Sequence, residues 1–269
     1  MIKIKKISLV LLSMLFCVTM YGCGAGEKSE QKNNQEAVAA EFAKAIDKLN
    51  ATPYKHCIDT MEVSDMSIMY DGAKDYYGDK LKSERTESDA IYEIKKDSDG
   101  KPTDSKYLKG LGKATMSFSD GSADKVGYYY EPGDGYYYSN EDGKKTKYKS
   151  GDAKFRSFVY KTLRADTAEN VKLKTEGSKQ IFTFDFKKDL RLTSNDGDWV
   201  RDDSDIIVTL FKGTITIDDS KNSIVYEEIE EFKDKKTGAT LKEVEVWECS
   251  NNVPELEFPK DLNTYKEEE

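Results

Sequence analysis

Residues Gly127 to Gly143 read GYYYEPGDGYYYSNEDG, six tyrosines within eleven positions and two clusters of turn residues. Glu131-Pro132-Gly133-Asp134 reads as one turn, Pro fixing φ and Gly taking a positive φ. Glu141 to Lys144, built on Asp142-Gly143, reads as the next. Two successive hairpins predict an antiparallel sheet, and the turns predict its pairs. Tyr130 falls opposite Gly135, Tyr129 opposite Tyr136 and Tyr128 opposite Tyr137; Tyr137 then meets Tyr148, and Tyr138 meets Lys147. Opposed residues of an antiparallel pair share a face. One face therefore carries Val126, Tyr128, Tyr130, Tyr137, Ser139, Thr146 and Tyr148; the other carries Lys125, Tyr129, Tyr136, Tyr138, Lys145, Lys147 and Lys149. Four ammonium groups in a row are costly to bury without partners, so the lysine face is expected to be wet and the first face inward. A slip of one residue would exchange the two.

An inward tyrosine wall has two readings. Its rings pack on the following helix as ordinary core, or they line a cavity for an amphiphile, rings against an acyl chain and hydroxyls toward a head group. The outer tyrosines as a platform for stacking sugars are a further reading.

Outward from the hairpins, most of the chain reads as strands parted by Gly, Asp and Asn turns. The candidates are 66–71, 90–96, 114–119, 124–130, 135–139, 145–149, 180–187, 206–218, 223–233 and 239–249. Val38, Phe42, Ile46 and Leu49 predict a first helix over 34–50, being spaced to line one face. Phe155, Phe158, Val159 and Leu163 predict a second over 152–164, with Asp152 as its N-cap. A weaker helical turn is read at 167–171. Hairpins with two inserted helices and no βαβ rhythm indicate an α+β domain.

The chain opens with Lys3, Lys5 and Lys6 before an apolar run from Ile7 to Met20, too short to span a bilayer. Met20-Tyr21-Gly22-Cys23 resembles the lipobox of bacterial lipoproteins, with Cys23 the residue to be lipidated; a plain secretory signal or an anchor helix is the alternative. Lipidation would make residues 1–22 a signal peptide and leave 247 of the 269 residues. It would also remove three lysines and no acids, moving the net charge from −9 to −12. Acyl chains on one cysteine hold a protein at a membrane without any spanning segment. Residues 23–34 read as a flexible tether with a reach of roughly 18 Å, and 35–269 as a single domain. The acidic balance argues against nucleic acid. Cys57 and Cys249 are the two remaining cysteines of the domain; outside the cytosol such a pair reads first as a disulfide, worth nominally about 5 kcal/mol for so long a loop. Two buried thiols are the alternative.

Several elements together carry a resemblance: the hairpin GYYYSNEDGKKTKY, the helix KFRSFVYKTL, and the closing runs ITIDDSKNSIVYEEIEEF and EVEVWECSNNVPELEFPKDLNTYKE. The domain resembles the LolA-like, LppX/LprG-like lipoproteins of Gram-positive cell surfaces. The resemblance implies a strongly curved antiparallel sheet, a half-barrel, with helices covering its concave face. It also implies a non-enzymatic role carrying a hydrophobic or lipid-linked molecule in the cavity.

Other motifs carry less. Lys236-Thr237-Gly238 and Ser98-Asp99-Gly100-Lys101 echo penicillin-interacting enzymes, but both sit in turns and the third element is missing. His56 is the single histidine and reads as a surface-loop residue; there is no GxSxG elbow. With one His and no CxxC, no zinc site is expected. Ser194 to Asp205 is acid-rich but misses the EF-hand spacing, and Gly110-Leu111-Gly112-Lys113 lacks the rest of a P-loop. The expectation is a lipoprotein on the outer leaflet of a bacterial membrane, without cofactor or metal. Tyr128, Tyr130, Tyr137 and Tyr148 would line a lipid or amphiphile cavity, with Phe155, Phe158 and Val159 on its lid. The alternative is a structural or sensory envelope module that binds another protein through the lysine face.

Overall fold

The computed structural model describes residues 27–70, 73, 74, 77–149, 163–187 and 205–268, with side chains from residue 35 onward apart from Asp104. Its elements run in order: α1 (Glu27–Asn50), β1 (Tyr54–Val63), β2 (Leu81–Lys96), β3 (Pro102–Phe118), β4 (Lys125–Glu131), β5 (Tyr136–Glu141) and β6 (Lys144–Lys149). After the gap come β7 (Ala168–Glu176), β8 (Lys179–Phe186), β9 (Ile206–Asp218), β10 (Ser223–Asp234), β11 (Thr240–Ser250) and β12 (Lys266–Glu267). Residues 37–269 hold one compact unit and 1–36 another.

All twelve strands join one sheet, ordered β12-β6-β5-β4-β3-β2-β1-β11-β10-β9-β8-β7. Every pairing is antiparallel except β12 on β6. The end strands β7 and β12 do not meet, so the sheet stays open. Mostly antiparallel sheet is therefore as expected. Among the described residues α1 is the one long α-helix, Ala73, Lys74 and Tyr77 also being helical; the second helix expected, over 152–164, lies outside them except for Leu163 and Arg164. The helical turn expected at 167–171 is a short 3-10 turn, Ala165–Thr167, running straight into β7.

α1 reaches back to Glu27, so the stretch expected as a tether is helical from that point. Phe42, Ala45, Ile46 and Leu49 are buried and pack on the face that bears Phe182, Phe184 and Phe186 of β8. Phe42 sits 5.8 and 4.9 Å from the first two rings. This core face holds a second apolar cluster at the strands' other end. There Met61, Val63, Phe232 and Leu241 pack under the segment containing Met66, Ile68 and Met69, a 3-10 turn and bridge where a strand was expected over 66–71.

β1 was not foreseen as a strand at all, and it is central. The reason is what it points inward: Lys55, Cys57 and Asp59 precede Met61 and Val63, so half the inward row is polar and no apolar alternation marks it.

Candidate functional site

The tyrosine hairpins follow the expected register on one side only. β5 and β6 pair Tyr137 with Tyr148 and Tyr138 with Lys147, as read from the sequence. β4 and β5 pair Tyr130 with Tyr138 and Tyr129 with Ser139, three positions from the expectation. The loop is longer than a four-residue turn: Gly133 and Gly135 both take positive φ, and Asp134 accepts from the Tyr136 backbone N–H at 3.0 Å and from the Tyr138 hydroxyl at 2.7 Å. An odd offset puts β4 the other way over.

The expected cavity set is thus divided. Tyr137 and Tyr148 face the core with Tyr129, whose ring stacks on Tyr137 at 6.1 Å. Tyr128 and Tyr130 lie on the opposite face with Lys145, Lys147 and Lys149, whereas Lys125, expected there too, shares the core face with Tyr129; Tyr128 is 39% exposed. Phe155, Phe158, Val159 and Cys23 lie outside the described residues. Cys57 and Cys249 are free thiols, which corrects the expected disulfide. Cys249 stands opposite Lys55, and Cys57 opposite Trp247. The two are therefore diagonal neighbours about 7–8 Å apart, beyond the usual Cα span of a disulfide.

What the register does assemble on the core face is a belt of carboxylates. One cross-strand row reads Thr86, Asp59, Glu245, Glu228, Gly213; the next reads Glu84, Met61, Glu243, Glu230, Phe211. Six acids from four adjacent strands lie between the two apolar clusters. The row on one side is Cys57, Trp247, Tyr226 and Ile215; on the other it is Val63, Leu241 and Phe232. Neighbours within each row are about 5 Å apart and the rows about 7 Å.

The belt is dry in its middle. Glu228 and Glu230 are 4% and 3% exposed. Asp59 Oδ1 is sealed from solvent with no hydrogen-bond partner. Burial pushes the Asp59 carboxyl well above its ordinary range, and the charges of Glu243, Glu245, Glu84 and Glu228 add to the shift. Burial also raises Glu84, against the Tyr77 hydroxyl that donates to it at 2.5 Å. The Tyr226 hydroxyl donates to Glu228, and burial with that neighbouring charge raises it too. Cys57 Sγ donates to Glu245 at 3.6 Å; burial raises this thiol. At the end of the belt the Lys55 ammonium donates to the Leu49 carbonyl at 3.2 Å and lies 5.1 Å from the Trp247 ring. Burial lowers its pKa, against the raising effects of Cys249 and Glu245.

Among the described residues no group of three or more His, Cys, Asp or Glu side chains is arranged to hold a metal ion. The sequence signal for the belt was parity. Tyr226 and Phe232 share an inward face with Glu228 and Glu230, as Leu241 and Trp247 do with Glu243 and Glu245.

His56 sits mid-sheet on the opposite face rather than in a loop. Its Nδ1 is 3.0 Å from Asp89 Oδ1, which also accepts from the Tyr54 hydroxyl at 2.5 Å. A pocket of about 240 Å³ lies by the C-terminal end of α1, between Lys48, Lys96 and Asp219, away from the tyrosines and the belt. No helix among the described residues is long and apolar enough to cross a membrane. Comparison with protein-family models returns no match, and comparison with curated proteins returns none.

Proposed function

We propose that the chain is a non-enzymatic lipoprotein of the bacterial cell surface, tethered through acyl chains on Cys23. On this reading its sheet curves into a LolA-like half-barrel. It holds or hands on an amphiphile against the core face, and the ligand combines an apolar body with a cationic group. The observation that carries this is the carboxylate belt flanked by two apolar clusters on one continuous face. Apolar surface at either end accommodates chain or ring, and the belt supplies the counter-charge. Of the tyrosines expected to line it, Tyr137 and Tyr148 remain on this face, and Tyr129 stands in for Tyr128 and Tyr130.

The test has two arms. Native mass spectrometry of protein extracted from membranes should show a co-purifying amphiphile. Calorimetry on the purified chain should show dodecylamine binding well below its micelle concentration, dodecanoate failing to bind, and the Glu243→Gln/Glu245→Gln variant losing affinity at least tenfold. A chain that extracts empty and takes neither probe, or both alike, refutes the reading.

A further inference from the structure

The β6 edge of the sheet carries a second arrangement, separate from the belt. After β11 the chain continues; residues 251–265 carry it past six strands to the far edge, where β12 pairs in parallel with β6. Lys266 meets Thr146, Glu267 meets Lys147, and the Glu268 backbone N–H donates to the Lys147 carbonyl at 3.0 Å. Just before this pairing Tyr265 is buried to 4%. Its ring meets Tyr138 edge-on at 5.5 Å, and the Lys145 ammonium lies 5.6 Å from it. Charges then alternate across the junction: Lys145 with Asp261 at 2.5 Å, Lys144 with Glu268 at 2.7 Å, Lys147 with Glu267 at 3.9 Å. Glu268 also accepts from the Tyr148 hydroxyl at 2.8 Å.

Each feature recognises something different about the segment it holds. The β6 main chain reads extended backbone, the Tyr138–Lys145 corner reads an aromatic ring, and the lysines read acids two and three positions further on. Together these are the parts of a strand-addition peptide site. The local charge is also unusual: four of the six β6 residues are lysines, on a chain whose net charge is −9 and which repels acidic partners elsewhere. β12 covers only two residues of a six-residue edge, so a longer strand would gain further main-chain bonds to β6.

We propose that the β6 edge is a docking site for an extended partner segment of aromatic-then-acidic sequence, and that the C-terminal residues occupy it in cis. A covalently attached occupant competes at an effective concentration on the order of millimolar. An outside peptide therefore binds weakly until the cis segment is loosened, and ionic strength opposes both.

The probe is a fluorescein-labelled peptide NTYKEE, matching residues 263–268, titrated by anisotropy into the full-length chain. The unaltered chain should bind it weakly. Tyr265→Ala, which removes the cis anchor, should bind at least tenfold tighter. Glu267→Lys/Glu268→Lys leaves the buried Tyr265 in place and reverses only the acids that pair with Lys147 and Lys144, and should show the same gain should the first variant fold poorly. Adding Lys145→Glu to either should abolish the gain, as should replacing the peptide's tyrosine by alanine. The proposal is overturned if neither variant binds tighter than the unaltered chain. It is overturned equally if poly-glutamate binds as well as NTYKEE, since bare charge attraction would then explain the contact.

Discussion

Replacing Asp59 by Asn tests the belt where its electrostatics are most adverse. Asp59 faces Glu245 directly across β1 and β11, with Glu228 beyond it in the same row and Glu84 and Glu243 in the next. At an effective dielectric near 20, one like charge at about 5 Å costs about 3 kcal/mol, so ionising Asp59 beside an ionised Glu245 is strongly opposed. The folded chain answers by holding the Asp59 proton, its pKa raised by burial and by those four acids. The unfolded chain releases that proton near pH 4. Above that pH the folded form binds more protons, so stability falls as pH rises until the folded pKa is passed. The slope for one such group is at most about 1.4 kcal/mol per pH unit. Asn has the shape of the protonated acid but no proton to lose. The advantage of Asp59→Asn should thus widen by up to about 2.7 kcal/mol between pH 5 and pH 7, or roughly 5–10 °C in Tm for a domain of this size. Urea unfolding followed by tryptophan fluorescence, with a constant slope on denaturant, gives the numbers directly. A gain that does not change with pH, or a loss of stability at pH 7, would show that Asp59 is ionised and compensated in the fold, and the belt argument would fall.

Two other outcomes follow from the geometry. The single histidine gives an unobstructed NMR titration. The hydrogen bond that His56 donates to Asp89 raises the His56 pKa most, with the charges of Asp89, Glu87 and Glu248 adding to it and burial opposing it. Its stabilisation is full below about pH 6.5 and is lost as pH rises through the folded value; Asp89→Asn should move the titration down, and an unmoved midpoint would mean the pair is incidental. Gly213 lies beneath the Phe184 ring, so that an added Cβ would stand 2.3 Å from Phe184 Cζ; Gly213→Ala should cost about 1–3 kcal/mol by overpacking, read as a lower Tm, and a neutral result would mean the ring moves freely.

Much of the sheet was legible because its inward rows are apolar. β9 begins and ends where alternation and turns place it, at Ile206 and Asp218. The IFTFDF row buries Phe182, Phe184 and Phe186 against the α1 stripe, and β5 meets β6 in the expected register. β1 and the first half of β2 were not legible, because their inward positions are Lys55, Cys57 and Asp59 and then Glu84, Thr86 and Ser88. Periodicity reports only the apolar half of a pattern. The β4–β5 register failed for a different reason. It turns on a loop in which Asp134 holds Tyr136 and Tyr138, a geometry that residue type alone leaves open among several lengths. The lysine face was read as wet since no local sequence offers it acids. Its partners, Asp261 and Glu267, arrive from more than a hundred residues away.

The belt sets a requirement that the apolar clusters alone would not. A core face built for stability alone would continue the leucine, phenylalanine and tryptophan rows through the centre, since buried carboxylates cost free energy that packed hydrocarbon does not. With the Asp59 and Glu84 carboxyls raised by burial, the fold should weaken as pH rises. On the proposed function the same protons would link the face to a cation: a ligand ammonium or guanidinium on the belt would favour the ionised acids and expel protons, so its affinity would rise over the range in which the fold alone loses stability. An uncharged lipid would couple to neither. A shared proton dependence of opposite sign, stability falling while affinity climbs, is thus what separates a counter-charge built for a ligand from a polar row that the fold merely tolerates.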